Sequence, residues 1–382
     1  MIMDRHAALE ILRQLIRIRT PQPVGDELDA VKYIASLLSG EMFENRILYH
    51  GNNRASLISE IRGRGEGPKV ALFGNLDTVG LEDIDSWEHP PFAADYEGGR
   101  VFGRGATNDK GGVTAILLTA LALAERGTPP ERDVAFCFTA DNDRGAIGAT
   151  AMLESGFFDG IQEILFAQPT NCGIGIGQKG LLWLDVEVRG VSSHVTKPSL
   201  SVNAFTAFAE FYKKIEALFR DVEEHPLFGS PLCSITRLSA SGPTCYSIPD
   251  RATGRIDIRF PPKVDADRLH KKIGTIADEM TSEEKHLEIR LETMNKRSAI
   301  GMTDTAPIVK KLKRIYKRQK ISPTLIGLPY FTDASVIIPR LGVPFAIVGP
   351  GVDIYGKHGD ESIALDDVLT AASVYLDFVS NG

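Results

Sequence analysis

Cysteine is scarce in this chain and follows no pattern. Cys137, Cys172, Cys233 and Cys245 stand far apart, with no Cys-x-x-Cys pair. That spacing argues against both a thiolate zinc site and a disulfide framework, and fits a reducing compartment. No uninterrupted apolar run reaches about 18 residues, so nothing reads as a membrane span. The opening MIMDRHAALEILRQLI carries Asp4 and Glu10 inside a helical apolar rhythm, and reads as neither signal peptide nor anchor. Positive charge is in deficit: 43 Lys and Arg against 50 Asp and Glu leave −7. That balance argues against nucleic acid or an anionic membrane as partner. Internal repeats and low-complexity linkers are also absent. A cytoplasmic protein without a bound cofactor is the expectation.

What is present is a chain of 382 residues, 43% hydrophobic and 24% charged, enough for two domains with real cores. Leu9, Ile11, Leu12, Leu15 and Ile16 mark an amphipathic helix capped by Asp4; Val31, Ile34, Leu37 and Leu38 mark a second that Gly40 ends. Val70–Phe73, Val134–Phe138 and Ile164–Phe166 read as buried strands, alternating with helices at Gly111–Glu125 and Gly145–Glu154. That alternation predicts an α/β domain with a mainly parallel sheet covered by helices on both faces. From Lys179 the texture changes. Leu182, Leu184, Val186 and Val188 alternate with polar residues, as in a half-exposed antiparallel strand. Helices over 202–219 and 267–280, with strands near 234–238, 253–259 and 287–291, complete an inserted α+β lid over 179–293. Residues 1–178 and 294–382 form the α/β domain. The charge run from Lys310 to Lys320 reads as a solvated helix face.

Chemistry in open α/β sheets gathers at the loops after buried strands. Here those loops read Phe73-Gly74-Asn75-Leu76-Asp77-Thr78, Gly103-Arg104-Gly105-Ala106-Thr107-Asn108-Asp109-Lys110-Gly111-Gly112, Thr139-Ala140-Asp141-Asn142-Asp143-Arg144, Ala167-Gln168-Pro169-Thr170, and Gly349-Pro350-Gly351 with Lys357-His358-Gly359-Asp360-Glu361 behind it. The glycines of the second loop match neither the P-loop nor the dinucleotide fingerprint.

In order and spacing these five motifs resemble the co-catalytic zinc family of aminoacylases, acetylornithine deacetylases, succinyl-diaminopimelate desuccinylases and glutamate carboxypeptidases. The resemblance spans nearly the whole chain and extends to a lid-domain His at His194 and a helix start at Val202-Asn203-Ala204. It implies a lid-mediated homodimer and a small-molecule or peptide-like substrate. It also marks departures. Asn75 stands at a zinc-binding His, Asn108 at a bridging Asp, Asn142 at the general-base Glu, Asp143 at a ligand Glu, Gln168 at a further carboxylate ligand and Lys357 at the last His. Tyr246 replaces a substrate-contacting Asn, and Tyr330-Phe331 stands where glycines are usual. Asp77, Asp109, Lys110, Asp143 and His194 remain.

Amides are neutral, weak donors, and a lysine ammonium has no lone pair, so this set does not suit two divalent ions. The expectation is therefore a divergent member without its metal pair. As an enzyme it would act on an amide or amino-acid-derived small molecule by acyl transfer, cyclisation or condensation. Lys357, Asp143 and His194 would handle protons, with Lys357 pairing Asp143 in place of a metal. Asn75, Asn108, Asn142, Gln168, Tyr246, Arg259 and Tyr330 would contact substrate. Two other readings stand beside it: a non-catalytic binding protein, and a single-metal amidohydrolase using His358 and nearby carboxylates. Against all three stands the plain alternative that the Asn residues merely suit turns and Lys357 is a solvated loop lysine.

Overall fold

A computed structural model describes residues 4–65, 67–81, 84–352 and 360–380. The chain divides into two compact units, 1–177 with 302–326 and 332–382, and 178–301 with 327–331.

The first unit is built on a mixed sheet. Its strands run in the order Glu44–Gly51, Arg54–Ile61, Arg132–Thr139, Gly67–Asn75, Ile161–Phe166, Phe345–Ile347, Ile174–Gln178. The four from Arg132–Thr139 to Phe345–Ile347 are mutually parallel, with Phe73 opposite both Cys137 and Phe166. The flanking pairs are antiparallel. Central strands are buried on both faces, hence the continuous apolar runs. Among the described residues seven helices accompany the sheet: Arg5–Arg17, Leu28–Leu37, Gly111–Glu125, Ile147–Glu154, Pro307–Arg318, Ala334–Leu341 and Leu365–Ser380. Asp4 caps the first, accepting from the His6 N–H. Gly111–Glu125 is apolar nearly all round and almost wholly buried, which suits a helix sandwiched inside a core. None of the helices among the described residues is long and apolar enough to cross a membrane.

The second unit is a four-stranded antiparallel sheet, ordered Leu232–Ser241, Arg251–Phe260, Gly180–Arg189, Glu288–Arg297. Helices Ala204–Ala217 and Ala266–Glu283 bury Phe208, Phe211, Ile215, Leu269 and Ile273 against the inward set Leu182, Leu184, Val186 and Val188. The alternation read from the sequence is the pleat of this sheet, one face packed and one polar.

Three expectations need correction. Strand Glu288–Arg297 crosses the expected 293/294 boundary, and because its ladder to Gly180–Arg189 continues to Arg297, the second unit runs on to Gly301 and adds 327–331. The fourth helix starts at Ile147 rather than Gly145: the Gly145 N–H is taken by Asp141 Oδ2 at 2.8 Å, and Ala146 adopts φ 51°. The basic helix is not wholly solvated. Lys311 is buried, its ammonium 2.9 Å from Glu163 and over the Phe378 ring.

Candidate functional site

The parallel strands of the first unit end together, and their loops carry the polar residues. Gly67–Asn75 delivers Asn75 and then Asp77; Arg132–Thr139 delivers Thr139 and then Asp141, Asn142 and Asp143; Ile161–Phe166 delivers Gln168. Asn75, Asp77, Asn142 and Gln168 are all buried. At this depth each polar atom needs a partner, and most find one another.

Asp77 is the hub. Its carboxylate accepts from Gln22 Nε2 at 2.9 Å, from the Asn142 N–H at 3.0 Å and from the Asp143 N–H at 3.1 Å. Asn75 Nδ2 donates to the Asp77 carbonyl at 3.0 Å and to Oδ1 at 3.3 Å. Gln168 Nε2 then donates to Asn75 Oδ1 at 2.6 Å and to Asp109 Oδ2 at 3.3 Å. Asp109 Oδ2 also accepts from the Asn75 N–H at 3.2 Å. Asn142 Oδ1 takes the Asp333 N–H at 2.7 Å, and Asp333 Oδ2 accepts from Thr139 Oγ1 at 2.5 Å. Three of the expected pocket amides are therefore joined in one network.

Beneath it lies a charged support. Arg54 donates to both oxygens of the fully buried Glu27, at 2.9 and 2.5 Å, and to Asp141 Oδ1 at 2.9 Å; Gln22 Nε2 links Asp141 to Asp77. The electrostatics are strongly acidic. Burial, then the neighbouring Asp77 charge, holds the half-buried Asp143 well above the usual carboxylate range. Asp109 is also raised well above it by burial, with Asp333, Asp77 and Asp143 adding to the effect. Burial raises Asp77 too. Lys110 in the same loop is wholly enclosed, its ammonium 2.7 Å from the Ile18 carbonyl, and burial brings it down to about 7.

Asn108 is half-buried and held from behind. Glu361 Oε1 accepts from the Thr107 and Asn108 N–H groups at 2.8 and 3.2 Å, and Oε2 from the Gly105 N–H at 2.8 Å. Lys357 and His358 lie outside the described residues.

The remaining candidates belong to the second unit. His194 is exposed, its Nδ1 2.9 Å from Thr196 Oγ1, with the ring stacked 6.4 Å from that of Tyr246, which is 65% exposed. Arg259 is bound to Asp257 through Nε and Nη2 at 2.7 and 2.9 Å and lies over Phe331 and Trp183. Tyr330 is buried. Within this unit the first pair comes together, as does the cluster around Arg259.

Sequence reading passed over Gln22, Glu27, Arg54, Thr139, Asp141, Asp333 and Glu361 as site residues. Thr139, Asp141 and Glu361 carried a signal, since all three sit in loops already singled out, and Asp333 lies two residues past Phe331. Glu27, Arg54 and Gln22 carried none, because only the fold brings them under the strand ends.

Comparison with known proteins follows the same outline. The model of peptidase family M20/M25/M40 matches residues 71–381. A probable succinyl-diaminopimelate desuccinylase of Staphylococcus aureus (strain N315) is 26% identical over 399 aligned positions, covering 96% of this chain and 95% of its own. The succinyl-diaminopimelate desuccinylase of Rhodospirillum centenum is 25% identical, covering 96% and 95%. Among solved structures, an M20 family metallo-carboxypeptidase from Sulfolobus solfataricus superposes with a TM-score of 0.80 at 16% identity, covering 99% of each chain. A tripeptidase from Staphylococcus aureus gives 0.78 at 17%, covering 100% of this chain and 99% of that one.

Proposed function

The chain belongs to peptidase family M20/M25/M40, and from that premise we propose that it is an enzyme that works on an acylated amino-acid-like small molecule without the metal pair of its relatives. The fold is that of the M20 peptidases and desuccinylases. The reaction we assign is acyl transfer, cyclisation or condensation.

The observation that carries this is the amide network. Divalent ions in such sites are held by imidazole and carboxylate oxygens, and two of them need several negative charges close by. The strand ends offer Asn75 and Gln168, and these spend their amide groups on each other and on Asp77 and Asp109. Asn142 is committed to Asp143 and to the Asp333 N–H. The carboxyls at hand are Asp109 and Asp143. These residues do not fit a pair of divalent cations, and no step is assigned to one.

Asp143 is the group suited to proton handling. Burial raises its carboxyl well above an ordinary aspartate, so it holds a proton more readily, which favours proton exchange with a substrate. In acyl transfer an amine nitrogen attacks the acyl carbon, ionised Asp143 takes the proton the nitrogen loses, and the acid so formed gives it to the leaving group. His194, Tyr246, Arg259 and Tyr330 of the second unit are assigned to substrate contact, with His194 a second proton carrier. The second unit is also assigned to homodimerisation. The relatives named desuccinylases take succinyl-diaminopimelate by name; an acylated diamino acid is the substrate class we assign here.

Elemental analysis of the purified protein tests the first half: well under one zinc per chain, and an unchanged melting temperature in chelator. Two tightly held zinc ions per chain sink the proposal. Incubation of N-acyl amino acids with amine acceptors tests the second half, with acyl exchange lost in Asp143→Asn at unchanged stability.

A further inference from the structure

The polar face of the sheet in the second unit is organised by its register. Thr253 stands opposite Glu187, and Glu187 opposite Arg290; Arg237 lies in the row on one side of them and Arg251 in the row on the other. Over these rows runs a groove of about 420 Å³, lined by Arg237, Arg251 and Arg290, by Asp185, Glu187 and Glu292, and by Thr253. Its volume is that of a small-molecule site.

The acids of the floor are already occupied. Asp185 accepts from Arg255 Nε and Nη2 at 2.6 and 2.9 Å, and from Arg237 Nη2 at 3.1 Å. Glu187 Oε1 accepts from Arg251 Nε at 2.8 Å and from Arg189 Nε at 3.2 Å. Four guanidiniums thus meet two carboxylates, and two positive charges are left over. The two carboxylates lie low, 22% and 23% exposed, whereas Arg237, Arg251 and Arg290 reach out at 64%, 60% and 59%. Among the described residues Arg237 engages only Nη2 and Arg251 only Nε, so each keeps N–H donors for a further acceptor. Thr253 sits half-buried among them and adds a hydroxyl.

We propose that this groove binds a small polyanion, a molecule with two or more carboxylate or phosphate groups, through Arg237, Arg251, Arg290 and Thr253. Every cation of the lining is an arginine. Its planar fork takes a carboxylate or phosphate edge through two parallel hydrogen bonds, which a lysine ammonium does not. The lining holds no aromatic ring on which a base would stack, which sets single-stranded nucleic acid aside. Glu292, exposed in the same row as Arg237, offsets one of the two surplus charges and opposes an anion at that rim. The site lies wholly within the second unit, and the inference does not rest on the reading of the strand ends.

Isothermal titration calorimetry of the whole chain with citrate and with pyrophosphate, against acetate at equal ionic strength, tests it. The expected result is saturable binding of one or both polyanions and none of acetate; the tighter of the two tells carboxylate from phosphate. Arg237→Gln with Arg251→Gln should weaken that binding roughly tenfold or more, the effect of losing hydrogen bonds between charged groups. Circular dichroism should stay unchanged, since Asp185 keeps Arg255 and Glu187 keeps Arg189. Arg290→Gln should weaken binding by itself and covers the case in which the double variant misfolds. Glu292→Gln removes the opposing charge and should tighten binding. Lys310→Gln with Lys317→Gln, an equal loss of charge on a helix of the first unit, should leave it as it was. Neither polyanion saturating, undiminished affinity in the arginine variants, weaker binding to Glu292→Gln or an equal loss in the lysine variant overturns the site.

Discussion

Asp109 shows what the departure from the family motif costs locally. Its carboxyl is sealed in, with Oδ1 lacking a partner among the described residues and Oδ2 accepting from Asn75 and Gln168. A carboxyl raised well above its ordinary value binds a proton in the folded state at pH values where the unfolded chain has released it. The stability this contributes is complete below the unfolded pKa of about 4 and is lost as pH rises through the folded value. Asp109→Asn keeps the oxygen that accepts from Asn75 and removes the titration. It should match the parent near pH 4 and be the more stable of the two near pH 8. Chemical denaturation at both pH values reads this directly, and parallel stability curves would show that Asp109 is not strained by ionisation. The loop glycines and polar letters around Asp109 were legible in the sequence as a site; its depth was not, because burial is a property of the strands that converge above it.

The helix Gly111–Glu125 explains why that loop is held so tightly. Its first turn lies against the end of strand Ile161–Phe166: a Cβ at Gly112 would sit 2.1 Å from the Ala167 carbonyl oxygen and 2.3 Å from Asp109 Oδ1. Only a glycine allows this approach of helix and strand. Gly112→Ala should cost about 2–3 kcal/mol, as overpacked cores do, and should disturb the Gln168 region through Ala167. A melting temperature equal to the parent's would mean that the helix can slide away without penalty. Elements of this kind were legible because their signals are local. Ala and Leu all round Gly111–Glu125 announce a buried helix, and Val70–Phe73 announces a buried strand. Lys311 misled for the opposite reason: its partner Glu163 lies 148 residues away in sequence, and no periodicity reports such a pair. The polar end of strand Glu288–Arg297 is hard to read, since Glu292, Thr293 and Lys296 are exposed on a sheet edge and look like loop.

Those two sheet edges bear on how whole molecules meet. Strand Glu288–Arg297 carries Glu288, Arg290, Glu292, Lys296 and Arg297, the charged dress that keeps an edge from pairing with another chain. Strand Leu232–Ser241, at the other edge of the same sheet, reads LCSITRLSAS with a single charge, Arg237. It is ten residues long, it contains no proline, and Leu232 and Leu238 are 53% and 41% exposed. Such an edge is a template for another strand, and a homo-oligomer with twofold symmetry supplies one by setting the same edge antiparallel to itself. We propose that the dimer forms there, joining two four-stranded sheets into one. Light scattering at micromolar concentration should then give twice the 41.7 kDa of the chain. Leu232→Lys with Leu238→Lys should return the mass to one chain while leaving circular dichroism unchanged, because neither side chain belongs to the core of its own unit. A parent protein that scatters as a monomer, or a double variant that stays dimeric, would place the association elsewhere and leave this edge without a partner of its own kind.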